Sequence, residues 1–271
     1  MIQFKYMQFN SQESIGELIM KEKLYTIPLN DALNENDECP FCYIKRKVEH
    51  DLIDFVLGSG SSYMESDVRD TTDSEGFCSH HFKMMFDYGN TLGNAWILKT
   101  HYFKTLDEMK KEFKNFKPSQ KQSIFSKKDI PNSNSIVKWL NKRENSCYIC
   151  KRINDTFDRY LDTFFILYQH EVEFREKLAN SKGFCLSHFK DLCELADSKL
   201  SQNSREEFYK VTFDLMDRNI SRISDDVSWM VEKFDYRNKN ADWKNSKDSI
   251  QRGMQKLKGG YPADLPYKSN R

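Results

Sequence analysis

Cysteine and histidine are the residues of this 271-residue chain best suited to metal or redox chemistry, and most of its seven cysteines fall into a pattern. Cys39-Pro40-Phe41-Cys42 is followed, after 33 residues, by Gly76-Phe77-Cys78-Ser79-His80-His81-Phe82. Cys147-Tyr148-Ile149-Cys150 is followed, after 32 residues, by Gly183-Phe184-Cys185-Leu186-Ser187-His188-Phe189. The shared G-F-C-x-x-H-F places His81, not His80, opposite His188. A compound motif repeated at matched internal spacing reads as a duplication. Each half then offers three thiols and one imidazole, the set that suits a closed tetrahedral Zn2+ site.

The expected ligands are Cys39, Cys42, Cys78 and His81 for one ion and Cys147, Cys150, Cys185 and His188 for a second. Chain reach allows it: a helix of about fifteen residues travels roughly 22 Å, and the remaining stretch is long enough to return. Both CxxC pairs also stand where helices should begin, and the helix N-terminus favours thiolate over thiol.

Other chemistries rank behind this one. Cys39-Pro-Phe-Cys42 alone resembles the redox motif of thioredoxin-like oxidoreductases, but no β-α-β pattern surrounds it and Cys147-Tyr-Ile-Cys150 lacks the proline. An iron-sulfur cluster on three cysteines and a histidine is a further alternative. Attached haem is excluded, because Tyr43 and Lys151 stand where C-x-x-C-H needs histidine. Cys193 reads as a small packed residue, and His50, His101 and His170 show no ligand spacing. Asp67, Arg69, Glu173 and Arg175 precede the third cysteine of each half and could either orient a ligand or form exposed ion pairs. No phosphate loop, H-E-x-x-H helix or G-x-S-x-G elbow occurs, so a non-enzymatic role is favoured.

The elements that must position these ligands read as helices. Only 10 Gly and 6 Pro interrupt the chain, while 20 Phe, 13 Tyr and 4 Trp supply a core. Ile44, Val48, Leu52 and Phe55 predict a helix from Cys39 to the turn at Gly58-Ser59-Gly60-Ser61. Phe82, Met85 and Phe86 begin another, and Leu92 to Phe113 outline a long one ending before Pro118. The second half repeats this order, with helices from about Cys147 to Tyr168 and from Cys185, then a long final helix opened by Ser204-x-x-Glu207. The segments Tyr63–Thr72 and Glu171–Lys177 read as short charged connections.

The expected organisation is an all-α bundle of two pseudo-repeats, each with its own Cys3His site. The boundaries are an N-terminal extension (1–34), a first repeat (35–117), a linker (118–134), a second repeat (135–237) and a tail (238–271) with a helix near Lys247 to Leu257. Whether the ordered protein starts at Met20 or with a helix over Glu13 to Lys23 is open from sequence.

Composition narrows the partners. A net charge of +1 leaves no surplus for a nucleic acid. No run of eighteen apolar residues spans a membrane, and the N-terminus lacks a secretory signal. A cytoplasmic protein is therefore expected, in which reduced thiols bind metal rather than form disulfides. Its partner would be a protein or small molecule.

Beyond these motifs, the stretches KEKLYTIPLNDA, SYMESDVRDTT, GNTLGNAWILKTH, FDRYLDTFF, EFREKLANSKGFCLSHF and KFDYRNKNADWKNSKDSIQRGMQKL resemble an uncharacterised bacterial family, common among anaerobic Firmicutes and catalogued as a domain of unknown function. The resemblance runs from about Lys21 to Leu257. It implies a cytosolic helical protein whose tail around Trp243 docks on the body, and it places His101 in a recurrent T-H-x-x-K stretch. No reaction comes with it.

Overall fold

The computed structural model describes residues 13–117, 134–260 and 262. The expected linker, 118–134, therefore lies outside the described residues except for Asn134. Among the described residues the chain is all-α, with no strand. The helices are α1 (Glu13–Asn34), α2 (Pro40–Leu57), α3 (Ser66–Glu75), α4 (Ser79–Tyr88), α5 (Thr91–Asn115), α6 (Ser135–Glu144), α7 (Tyr148–His170), α8 (Val172–Asn180), α9 (Leu186–Lys199), α10 (Gln202–Glu232) and α11 (Ser249–Lys258).

Local chemistry sets the ends. Pro40 occupies the first position of α2, where its missing N–H costs nothing. The Asn90 side chain accepts from Gly93 N at 2.9 Å to start α5, and Asn134 accepts from Ile136 N to start α6. Ser201, three residues before the expected Ser204, caps α10 by accepting from Ser204 N. The two charged connections are in fact helices, α3 and α8. Each buries one short stripe four residues apart, Val68 with Thr72 and Phe174 with Leu178, too brief to register as a period.

The chain divides into two compact units that do not follow the sequence halves. One comprises the described residues of Met1–Lys47 and Thr156–Asp264, the other Val48–Asp155. Both divisions therefore fall inside helices, α2 and α7.

The first unit is built on aromatic rings. Phe41, Phe164, Phe174, Phe184 and Phe208 are fully buried. Phe164 packs on Phe41, Phe174 and Phe184 with ring centroids 5.4–5.9 Å apart, at tilted or edge-to-face angles. Each such pair adds about 0.5–1.5 kcal/mol beyond the area it buries. Leu29 and Ala32 bury one side of α1, and α11 packs on α9 and α10. The tail around Trp243 docks as expected, with Trp229 Nε1 donating to Asp242 O at 2.9 Å. The second unit has an aliphatic centre of Ile53, Val56, Leu57, Met85, Ile97 and Ile149. No helix among the described residues is long and apolar enough to cross a membrane.

Candidate metal centres

All eight expected ligands fall into two groups, but the groups cross the halves. Cys39 and Cys42 meet Cys185 and His188 in the first unit; Cys78 and His81 meet Cys147 and Cys150 in the second. The expected pairing within each half is thus corrected. Its premise was a return path as long as the outward one. At about 1.5 Å per residue, the 18 residues of α2 run about 27 Å, while the 10 residues of α3 cover only about 15 Å. The 23-residue α7 and 9-residue α8 are more unequal still.

Every ligand pair sits at a helix start. Cys39 and Cys147 directly precede α2 and α7, and Cys78 and Cys185 are the N-caps of α4 and α9. The second ligand of each pair lies three residues on, in the first turn. Unsatisfied backbone N–H groups reach the sulfurs: His188 N donates to Cys185 Sγ at 3.4 Å and Cys150 N to Cys147 Sγ at 3.5 Å. Cys39 N is held at 3.0 Å by Asp37 Oδ1.

The glycine of each G-F-C stretch makes the approach possible. Gly76 and Gly183 have φ of +66° and +70°, a region that L side chains rarely adopt. A Cβ on Gly76 would lie 3.0 Å from the His101 ring, and one on Gly183 would lie 3.3 Å from Leu215. Gly76 O also accepts from Tyr148 N at 2.8 Å, tying the two ligand loops of that centre together.

Both groups have the dimensions of a tetrahedral ion shell. With Zn–S of about 2.3 Å and Zn–N of about 2.0 Å, tetrahedral angles separate two sulfurs by about 3.8 Å and sulfur from nitrogen by about 3.5 Å. In the first centre Cys42 and Cys185 sulfurs are 3.7 Å apart, and His188 Nδ1 lies 3.3, 3.5 and 3.2 Å from Cys39, Cys42 and Cys185. In the second, Cys78 and Cys150 sulfurs are 3.8 Å apart, and His81 Nδ1 lies 3.1, 3.2 and 3.4 Å from Cys78, Cys147 and Cys150. These sulfurs are free thiols, nearly twice the roughly 2.05 Å of a disulfide apart.

Electrostatics ask for a cation at the same points. Burial pushes the Cys39 thiol well up, and the Cys185 sulfur beside it pushes Cys42 up to about 12. Cys185 is driven the other way by hydrogen bonds from Cys39 and Cys42. In the second centre burial, with Cys147 and Cys78 nearby, raises Cys150 to about 12. Three thiolates cannot share so small a volume on their own. A divalent ion held there would supply the missing charge and displace the protons.

The surroundings of the two imidazoles differ. His81 Nε2 faces Glu49 Oε1 at 3.0 Å, which fixes Nδ1 as the atom turned to the sulfurs. Burial opposes a charge on His81, but Cys147 and Glu49 outweigh it and raise its pKa to about 10. His80 also reaches Glu49, at 3.1 Å, and belongs to neither cysteine group. His188 instead packs on the rings of Phe157 and Phe41, centroids 5.1 and 5.7 Å away. The backbone of Gly259 covers the first centre: a Cβ there would lie 3.4 Å from Cys185 Sγ and 3.5 Å from Cys42 Sγ.

The four charged residues considered for orienting a ligand do something else. Glu173 pairs with Lys177 one turn on, and Arg175 donates to the carbonyls of Tyr168 and Gln169 at the end of α7. Neither Asp67 nor Arg69 forms a hydrogen bond or ion pair with a ligand. Cys193 joins neither group. Glu49, which sequence reasoning missed, carries one faint signal: it stands seven residues, two helical turns, after Cys42.

No curated protein and no solved structure matches the chain. A family model does, over residues 20–264. With nine-tenths of its length so matched, the chain belongs to DUF6062, a family of unknown function.

Proposed function

We propose that this protein is a helical binding or scaffold module in which two Zn2+ ions fasten helix starts together, α2 to α9 and α4 to α7. What supports this most strongly is the spacing of the sulfurs and imidazole nitrogens, which suits a tetrahedral ion in both centres and a disulfide in neither. Three thiolates and an imidazole leave zinc no open position for a substrate water, so the role is structural. The recurrence of the same motif pair supports an origin by internal duplication. We place the protein in the cytoplasm, where thiols stay reduced.

Elemental analysis of anaerobically purified protein, with a visible spectrum, tests the reading. Two zinc ions per chain and a featureless spectrum are expected. Replacement by Co2+ should give the intense d–d bands of tetrahedral thiolate coordination. Strong chelation should then loosen the helical packing and lower the melting temperature, since metal binding is part of the folding free energy. Iron with charge-transfer bands would instead identify a cluster protein, and metal-free protein with reversibly oxidised thiols a redox or sensing role.

A further inference from the structure

The first unit carries a cavity of about 1000 Å3 that neither centre uses. Its walls hold no aliphatic side chain and one aromatic, Tyr43. Seven lining residues are Lys or Arg and four are Asp or Glu, an excess of three positive charges in a chain whose total is +1.

Four of the seven cations, Arg46, Lys182, Arg222 and Arg252, are held by Asp37 or Glu38, while Arg218, Lys244 and Lys247 stand exposed. Glu38 is 1% exposed, and its Oε2 accepts from Arg222 Nη2 at 2.5 Å. Arg252 and Lys182 lie 3.6 and 3.9 Å from its Oε1, and Lys256 lies 3.4 Å from Oε2. One carboxylate thus gathers four cations. Arg252 is further held by Asp226 and Asp248. At the rim Lys247 has no ion-pair partner among the described residues, and Lys244 is held in the left-handed region, at φ +50°.

Acceptors are left over as well. Gln255 lines the cavity and is wholly buried; its Nε2 donates to Asp37 Oδ1 at 2.6 Å, but its Oε1 has no hydrogen-bond partner. Glu38 Oε1 makes no hydrogen bond but has Arg252 and Lys182 at 3.6 and 3.9 Å, so Gln255 Oε1 is the acceptor left unmatched. A buried acceptor left unmatched costs roughly 1–3 kcal/mol, so a donor is due there. Asn36, Asn180, Asn219 and Asn245 add amides to the wall. Guanidinium and ammonium groups call for phosphate, the unmatched amide oxygen for a hydroxyl donor, and walls lined almost wholly by polar and charged residues for a hydrophilic ligand.

We propose that this cavity binds a phosphorylated polyol or sugar, with the basic side chains holding phosphate and Gln255 accepting from a hydroxyl. The proposal does not depend on the identity of the metal. The test is calorimetric titration of the full-length protein, its metal content measured beforehand, with fructose 1,6-bisphosphate as probe and fructose and inorganic phosphate as comparison arms. One bisphosphate per chain is expected, with inorganic phosphate at least about tenfold weaker and fructose without measurable heat. Lys244→Glu with Lys247→Glu, both at exposed positions, should weaken the probe at least about tenfold while melting temperature and metal content stay as in the parent. Absence of saturable binding, affinity unmoved by the two charge reversals, or inorganic phosphate binding as tightly as the bisphosphate would each overturn the assignment.

Discussion

Glu49 Oε1 and His81 Nε2 stand 3.0 Å apart, the carboxylate turning the far side of the imidazole toward three sulfurs. Glu49 lies seven residues after Cys42, and Phe157 lies seven residues after Cys150. One position thus presents a carboxylate to the histidine of one centre and an aromatic ring to that of the other. Chemically matched ligand sets are therefore set in unlike surroundings.

Glu49→Ala should weaken zinc at the Cys78/His81/Cys147/Cys150 centre by about 10- to 100-fold and leave the other centre unchanged. Competition with a chromophoric chelator resolves the two ions. Equal weakening of both, or of neither, would show that the carboxylate does not orient His81.

Crossed ligand sets make a prediction that sets confined to one half do not. Cys39→Ser combined with Cys185→Ser should remove one ion, because both residues serve one centre; Cys39→Ser with Cys78→Ser should remove both. Pairing within the halves would give the opposite result. Cys193→Ser should leave the zinc count at two.

His101 supplies a pH dependence. Burial and the Arg143 guanidinium hold its pKa below the usual histidine range. The neutral ring donates from Nδ1 to Asp73 O and accepts at Nε2 from Arg143 Nη2, both at 3.1 Å. The unfolded chain therefore takes up this proton first, at about pH 6.5. The stabilisation is complete above that value and is lost as pH falls toward the depressed folded value. His101→Gln should be less stable than the parent at pH 8, with the gap narrowing by pH 5.5 in urea midpoints. A gap constant across that range would rule out a neutral, half-buried His101.

Gly183→Ala forces a Cβ onto a residue at φ +70° and toward Leu215. A loss of about 1–2 kcal/mol is expected from the backbone alone. Urea denaturation measures it, and an unchanged midpoint would contradict the positive φ.

The eight candidate ligands were legible in the chain because CxxC and CxxH pairs are local: three residues span one helical turn, and each pair announces itself. Which pairs meet was not legible, since that depends on the lengths of α3 and α8, helices with too few apolar positions to show a period. The helix of α2 was readable from Pro40 to Gly58 for the converse reason, an apolar stripe recurring over four turns. Glu49 was hidden because it serves ligands remote in sequence, and an isolated glutamate on a helix face resembles any solvated one. The cavity walls were invisible for the same reason. Asp37, Lys182, Arg222 and Gln255 come together only after α9, α10 and α11 have packed.

The ligand order along the chain is nested, with the pairs at 78–81 and 147–150 enclosed by those at 39–42 and 185–188. With both proposed ions bound, a backbone break anywhere between His81 and Cys147 would leave two fragments each contributing a pair to both centres, so that a chelator removes two of the links between them. On the ribosome the inner set is complete once Cys150 emerges, whereas the outer set waits for His188, so under the proposed pairing neither sequence half holds a full set alone.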